Sequence, residues 1–154
     1  NNILVFGTDG SLVDAWTLNY GGAHGLSIHR EQSGKEFLYI TDTGGKVVKT
    51  TLSGEVVLEL PSALACGAYQ ESQPYRPTET AIGPTGDLYV ADGYGSQYIL
   101  RFDKTGKFLT MWGKKGSGTG EFGNLHGIYC DKSTGWIYVA DTANNRTQVY
   151  KPAG

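Results

Sequence analysis

The sequence predicts an all-β protein built from repeated four-stranded sheets, and two observations carry that prediction. The 154 residues include 23 glycines and 10 tyrosines, and no apolar segment follows the helical period, so we expect short strands joined by tight turns. A motif of alternating apolar residues that ends in aspartate recurs three times, and its aspartates, Asp42, Asp92 and Asp141, are 50 and 49 residues apart. This period is close to the ~40–50 residues of one blade of a β-propeller.

The composition excludes several classes of protein. A hydrophobic fraction of 39% and a charged fraction of 18% are sufficient for a buried core. No apolar run approaches the ~20 residues that cross a bilayer as a helix. The net charge is −2 and the densest basic pair is Lys114-Lys115, so no surface that follows a phosphate backbone is expected. We therefore expect no membrane span and no nucleic-acid partner.

Each repeat divides into four strands separated by turns rich in glycine and aspartate. In the middle repeat the predicted strands are Thr78–Gly83, Asp87–Ala91, Tyr98–Asp103 and Lys107–Trp112. The same division predicts about thirteen strands in a single, partial propeller. It assigns residues 1–17 to the last two strands of a blade, 18–60 and 61–113 to complete blades, and 114–154 to an incomplete blade.

Three blades are too few to close a ring, which needs ~4–8 of them. Either the chain is part of a longer propeller with six blades, or two copies assemble one ring. The first alternative is favoured, because the strands at the two ends of the chain duplicate each other instead of complementing each other. In both cases the rest of the propeller or a second copy is needed for closure.

Histidine occupies equivalent places in the first strands of alternate blades. Aligning these strands places His24, Thr78 and His126 at one position. First strands line the central channel, and alternate blades of a six-bladed ring are ~120° apart, so three such histidines would converge on the axis. A zinc site with three protein ligands and an open position has this arrangement. Two of the three ligands would lie in this chain.

Longer motifs resemble a known family. The segment from Gly118 to Ile128, followed by Val139 to Tyr150, resembles an NHL repeat over its whole length. The chain from Tyr20 to about Tyr150 is similar to the peptidyl-α-hydroxyglycine amidating lyases, six-bladed propellers that release an amidated peptide and glyoxylate from a hydroxylated, glycine-extended peptide. Three motifs carry this likeness: His24-Gly25-Leu26-Ser27-Ile28, Asp92-Gly93-Tyr94 and Leu125-His126-Gly127.

The resemblance implies a set of functional residues. In that family the histidines at the positions of His24 and His126 bind zinc, and the tyrosine at the position of Tyr94 is catalytic. The carbonyl at the position of Leu26 helps to hold a structural calcium ion. The resemblance also implies a peptide or small-molecule substrate in the central channel and an extracellular or periplasmic location.

The sequence departs from the family in several places. A second functional arginine of the family lies in a stretch before the first histidine motif that is not matched here, and Gly95 stands where animal lyases have a cysteine. One further change concerns the substrate. Thr142 stands where family members carry a substrate-binding arginine, and the loss of a carboxylate clamp weakens the case for the same substrate. Two functions remain open: a zinc-dependent, lyase-like enzyme, or a non-enzymatic NHL propeller that binds peptide or protein partners. RNA binding ranks last, because no basic face is apparent.

Other polar residues have structural interpretations. The three repeated aspartates end the second strand of their blades, so they are expected to accept backbone hydrogen bonds that fix the following turn. His29 lies next to Arg30-Glu31 and has no counterpart in the other repeats, which predicts a solvated turn residue.

Overall fold

The computed structural model describes residues 2–151, with side chains from residue 3 onward. Within that range the chain forms thirteen β-strands and one short 3₁₀ turn at Thr142–Asn144. The strands are β1 Asn2–Phe6, β2 Leu12–Thr17, β3 Ala23–Arg30, β4 Glu36–Asp42, β5 Lys46–Thr50, β6 Val56–Glu59, β7 Glu79–Ile82, β8 Leu88–Ala91, β9 Tyr98–Phe102, β10 Phe108–Gly113, β11 Leu125–Cys130, β12 Ile137–Asp141 and β13 Arg146–Tyr150. No helix in the described range has the length and apolar character that crossing a bilayer requires.

Strands that follow one another in sequence pair antiparallel and form four separate sheets. The first sheet contains β1 and β2, the second β3 to β6, the third β7 to β10 and the fourth β11 to β13. The four strands predicted for the middle repeat correspond to β7 to β10, and their bounds differ by no more than one residue at either end. The prediction of an all-β propeller with four-stranded blades is confirmed.

The repeated aspartates connect the strands of each blade as expected. Each one accepts a hydrogen bond, of 2.6–2.7 Å, from a backbone N–H on the segment that leads into the first strand of its own blade: Gly22 for Asp42, Arg76 for Asp92 and Gly123 for Asp141. All three carboxylates are buried. Burying a carboxylate without such donors would cost free energy. The hydrogen bond therefore stabilises both the buried aspartate and the backbone segment that it contacts.

The hydrophobic core lies between neighbouring sheets. One cluster packs the second sheet against the third and includes Leu100 and Phe102. Another packs the third sheet against the fourth and includes Phe122 and Leu125, while Trp16 contributes to the contact between the first two sheets. A blade therefore obtains its buried surface from its neighbours, as propeller architecture requires.

The first strands of the three larger sheets lie side by side and form one wall of a channel. Strand β7 contacts β3 on one side and β11 on the other. A cavity of about 530 Å³ follows this wall, and its lining includes Leu26, Ile28, Glu79, Ile128 and Tyr129. Residues near the beginnings of β3, β7 and β11 are therefore placed close together at one end of the channel.

Candidate functional site

Three residues predicted from the sequence meet at this end of the channel. Tyr94 Oη lies 2.8 Å from His126 Nε2 and 3.3 Å from His24 Nε2. The centroids of the two imidazole rings are 4.9 Å apart. The two histidines come from the beginnings of β3 and β11, and Tyr94 comes from the turn between β8 and β9, so three blades contribute one side chain each. The structure thus brings His24, Tyr94 and His126 together, while their predicted chemical roles stay predictions.

Both histidines occupy irregular positions in their sheets. In β3, Ala23 pairs with Asp42 but the next pair is Leu26 with Ile40, so one extra residue is accommodated beside His24. In β11, Leu125 pairs with Asp141 and Gly127 with Ala140, which leaves His126 without a partner across the sheet. Such β-bulges turn a side chain out of the regular alternation of a strand and are common next to functional sites.

The tautomer of His24 is fixed by the neighbouring blade. His24 Nδ1 lies 2.9 Å from the backbone carbonyl oxygen of Thr78, which can only accept a hydrogen bond. In the neutral ring, Nδ1 therefore carries the proton and Nε2 keeps its lone pair directed toward Tyr94 and His126. A histidine that binds metal through Nε2 has its other nitrogen held in this way.

The first strand of the middle blade, β7, lacks the bulge that β3 and β11 have at their histidines. Its pairing is regular from the start, with Glu79 opposite Ala91, and the preceding Thr78 is fully buried. Thr78 donates its hydroxyl to the carbonyl of Leu125 at 3.0 Å, so it joins two blades and does not face the channel. Thr78 thus occupies the position equivalent to the two histidines, since Glu79 pairs with Ala91 as Gly127 pairs with Ala140, but its side chain is buried between blades.

The Asp92 carboxylate stabilises the turn that carries Tyr94. The Asp92 carboxylate accepts hydrogen bonds from the backbone N–H groups of Arg76 and Ser96, both at 2.6 Å, and from the Tyr69 hydroxyl at 2.7 Å. Burial raises the pKa of the Asp92 carboxyl, and these hydrogen bonds offset part of that effect. Tyr94 itself is 42% exposed.

Close packing between blades requires glycine in the same turn. A Cβ atom on Gly93 would lie 1.4 Å from the carbonyl oxygen of Leu125, the residue that precedes His126. The backbone of the Tyr94 turn therefore touches the strand of His126 directly. This contact explains why a tyrosine of the third sheet reaches a histidine of the fourth.

Sequence reasoning missed Glu79, which lies beside the two histidines. Burial raises the pKa of the Glu79 carboxyl, whereas a hydrogen bond from the Thr80 N–H and the charges of His24 and His126 oppose that rise. Its Oε1 atom lies against the backbone of Gly25, where a Cβ atom would come within 2.7 Å. One signal was available in the sequence: Glu79 replaces the glycine that follows the histidine in the other two blades.

The residues present fit one part of a zinc site. Two imidazole nitrogens that converge on one point form a donor set that suits zinc. Within residues 3–151, no group of three or more histidine, cysteine, aspartate or glutamate side chains could hold a metal ion by itself. A further protein ligand would therefore have to come from outside the described residues.

Leu26 lies in β3, where it pairs with Ile40, and its side chain is about half exposed to the channel. The expectation that its carbonyl helps to bind calcium stays a prediction. Thr142 begins the 3₁₀ turn after β12, and its N–H donates to the carbonyl of Asn124.

The prediction for His29 is wrong. His29 lies within β3, is partly buried, and its Nδ1 contacts Lys132 Nζ from the turn between β11 and β12. Burial lowers the pKa of His29, and the positive charge of Lys132 lowers it further. The residue is therefore a contact between blades at the channel wall, where a turn position had been expected.

Comparison with known proteins confirms the predicted resemblance. A family profile described as a 6-bladed beta-propeller matches residues 84–152. NHL repeat-containing protein 3 from Homo sapiens is 33% identical over 159 residues, which cover 96% of this chain and 44% of that protein. A probable peptidyl-alpha-hydroxyglycine alpha-amidating lyase from Caenorhabditis elegans is 28% identical over 133 residues, which cover 82% of this chain and 36% of that protein. The chain thus spans less than half the length of these two relatives.

A solved structure extends the comparison to the fold. Virginiamycin B lyase from Staphylococcus aureus, in a catalytically inactive form with quinupristin, superposes with a TM-score of 0.63 and 16% identity. The match covers 100% of this chain and 50% of that one. At this level of identity the similarity concerns the fold alone.

Proposed function

We propose that this chain, a β-propeller of the NHL-repeat type, forms part of a zinc-dependent lyase that resembles the enzymes cleaving peptidyl-α-hydroxyglycine to an amidated peptide and glyoxylate. One observation carries the proposal. His24 Nε2 and His126 Nε2 both lie within hydrogen-bond distance of Tyr94 Oη, although the three residues come from different blades. The resemblance to amidating lyases selects the reaction class.

Each of the three residues has a distinct role in the proposal. His24 and His126 would hold zinc through Nε2, and the Thr78 carbonyl keeps His24 in the required tautomer. Zinc bound there would supply Lewis-acid polarisation of the substrate hydroxyl. Tyr94, which is 42% exposed and contacts both histidines, would act on the substrate beside that zinc.

Tyr94 is suited to move the proton that the reaction transfers. The substrate hydroxyl loses its proton as the carbonyl of glyoxylate forms, the carbon–nitrogen bond breaks, and the amide nitrogen gains a proton. As the phenolate, Tyr94 would accept the hydroxyl proton, and as the phenol it would return that proton to the amide nitrogen; its Oη lies 2.8 Å and 3.3 Å from the Nε2 atoms that would hold zinc. We therefore assign Tyr94 as the general acid–base group.

The substrate would enter the channel beside β3, β7 and β11, as a peptide or small molecule with an α-hydroxy group. Thr142 cannot clamp a carboxylate as an arginine does, so the substrate clamp that the family carries at this position is missing here. An extracellular or periplasmic location and a structural calcium ion at Leu26 belong to the same proposal, and both rest on the resemblance.

Metal analysis of the full-length protein tests the proposal. The protein, purified without chelator, is expected to contain about one zinc per chain, and the His24→Ala/His126→Ala double variant is expected to lose it. The His29→Ala variant is the matched control, because His29 lies on the same strand as His24 but outside the site. The wild type is further expected to release glyoxylate from a peptidyl-α-hydroxyglycine.

The second candidate function is a non-enzymatic NHL propeller that binds peptide or protein partners. The absence of a complete metal-ligand group among the described side chains favours it, together with Thr142. This candidate predicts a folded wild-type protein without stoichiometric metal and without glyoxylate release. That result would contradict the lyase proposal.

A further inference from the structure

We propose that Glu79 strengthens the binding of a divalent cation at His24 and His126, as a positioning residue that does not itself bind the cation. The inference rests on the proposed function, because it concerns the same site. It starts from the position of Glu79 in the first strand of the middle blade. Glu79 pairs with Ala91 just as Gly127 pairs with Ala140, so the middle blade has a carboxylate where the fourth sheet has a glycine.

The adjacent blade leaves room for this carboxylate. Gly25 follows His24, and a Cβ atom at this position would approach Glu79 Oε1 to 2.7 Å. The same Cβ atom would lie 2.4 Å from the Thr78 carbonyl oxygen that accepts from His24. The carboxylate therefore occupies the space beside the first histidine that a glycine keeps free.

The charges around Glu79 indicate what the carboxylate can stabilise. It is partly buried, and within residues 3–151 it forms no ion pair with lysine or arginine. Its Oε1 lies against the backbone of Gly25, the residue that follows His24. When both imidazoles are neutral, as metal binding requires, Glu79 is a negative charge without a balancing partner in the described part of the chain.

A divalent cation held by the two Nε2 atoms would supply that balancing charge. Attraction between opposite charges is strong in a partly desolvated site, and substitution of residues just outside the ligand set typically costs 10–100-fold in metal affinity. The Glu79 side chain is fixed for this role, because its Oε1 accepts the Thr80 N–H at 2.9 Å. No group of three potential ligands is found among the described side chains, which is consistent with a role outside direct coordination.

The Glu79→Gln variant of the full-length protein tests the inference, since glutamine removes the charge but can still accept the Thr80 hydrogen bond. Zinc affinity, measured by competition with a chelating dye, is expected to fall ~10–100-fold. The Glu55→Gln variant removes the same charge from an exposed turn and is expected to retain wild-type affinity. Thermal stability should match the wild type in both variants.

Three further outcomes distinguish failure of this inference from failure of the proposed function. With cobalt in place of zinc, the visible absorption spectrum of Glu79→Gln is expected to keep the shape of the wild-type spectrum, and a changed spectrum would identify Glu79 as a ligand and overturn the positioning role. Equal zinc affinity of Glu79→Gln and wild type would overturn the inference but leave the proposed function intact. A wild type that binds no zinc would overturn both.

Discussion

His24 donates its Nδ1 proton to the backbone carbonyl of Thr78 across the boundary between two blades, at 2.9 Å. The same carbonyl also accepts the Thr41 hydroxyl at 2.9 Å. A backbone acceptor in the middle blade therefore orients a side chain of the preceding blade. The geometry of the site depends on the packing of blades against each other, and changes at the blade boundary should affect the site as well as stability.

The Tyr94→Phe variant is expected to retain zinc and stability but lose catalysis. The hydroxyl contacts the two histidines and the ring is 42% exposed, so its removal should change the free energy of unfolding by less than about 0.5 kcal/mol. Loss of an acid–base group should lower the rate of glyoxylate release by ~10²–10⁴-fold.

The Tyr150→Phe variant is the control for this prediction. Its hydroxyl contacts Gln148 on β13, away from the histidines, so turnover should be unchanged. Zinc analysis, thermal denaturation and initial rates of glyoxylate release on the three proteins provide the comparison. Wild-type turnover in Tyr94→Phe would remove Tyr94 from the proposed mechanism.

The Gly25→Ala variant should damage both stability and the site. The added Cβ would lie 2.4 Å from the Thr78 carbonyl oxygen and 2.7 Å from both Glu79 Oε1 and Thr41 Oγ1. Relief of these contacts must move backbone on the neighbouring blade, and overpacking of this kind costs about 1–3 kcal/mol. Urea denaturation should show the loss, and zinc affinity should fall with it.

Gly21 provides a matched glycine outside the site. A Cβ atom at this position meets no atom within 4 Å, so Gly21→Ala should unfold at the same urea concentration as the wild type or slightly above it. Equal stability of the two alanine variants would show that the close approach between Gly25 and Thr78 does not constrain the fold.

The sequence predicted the strands because propeller blades repeat at a fixed interval. Alternating apolar residues followed by aspartate placed β4, β8 and β12, and the turn residues between them placed the neighbouring strands. The histidines were predictable for the same reason, since His24 and His126 recur at equivalent points of alternate repeats. Their convergence follows from ring geometry, which needs no knowledge of side-chain contacts.

The bulges were not predictable from the repeat, and the repeat marks Glu79 only as a replacement of glycine, without indicating its role. A bulge depends on which residues pair across a sheet, and the extra residue at His24 or His126 leaves no mark in the spacing of apolar positions. A single glutamate in Thr78–Ile82 looks like an ordinary polar residue of an alternating strand. Its proximity to both histidines becomes visible only when three blades are packed together.

The Lys132→Gln variant should raise the pKa of His29. Burial is the larger cause of the lowered pKa, and the Lys132 charge adds to it, so removal of the charge should move the pKa toward 6.5 without restoring it fully. Titration of the His29 ring protons by NMR measures the change. Lys107→Gln, an exposed lysine of another turn, should leave the His29 titration unchanged, and an unshifted pKa in Lys132→Gln would contradict the contact between blades.

The Asp141→Asn variant should destabilise the protein in a pH-dependent way. Although burial raises the pKa of the Asp141 carboxyl, hydrogen bonds from Gly123, Asn144, Arg146 and Gln148 outweigh this effect and hold the pKa below its ordinary value of 3.8. The asparagine NH₂ group would point amide protons at some of these donors. The variant also removes the negative partner of the ion pair with Arg146, which should lower the free energy of unfolding by about 3 kcal/mol.

The direction of the pH dependence follows from the lowered pKa. The ionised carboxylate stabilises the fold at pH values above 3.8, and this contribution is lost as the pH falls through the still lower pKa of the folded state. The difference in free energy of unfolding between wild type and Asp141→Asn should therefore be constant from pH 5 to 7 and shrink below pH 4. Urea denaturation across this range measures it. A difference that stays constant down to pH 2 would show that the carboxylate acts through shape and not through charge.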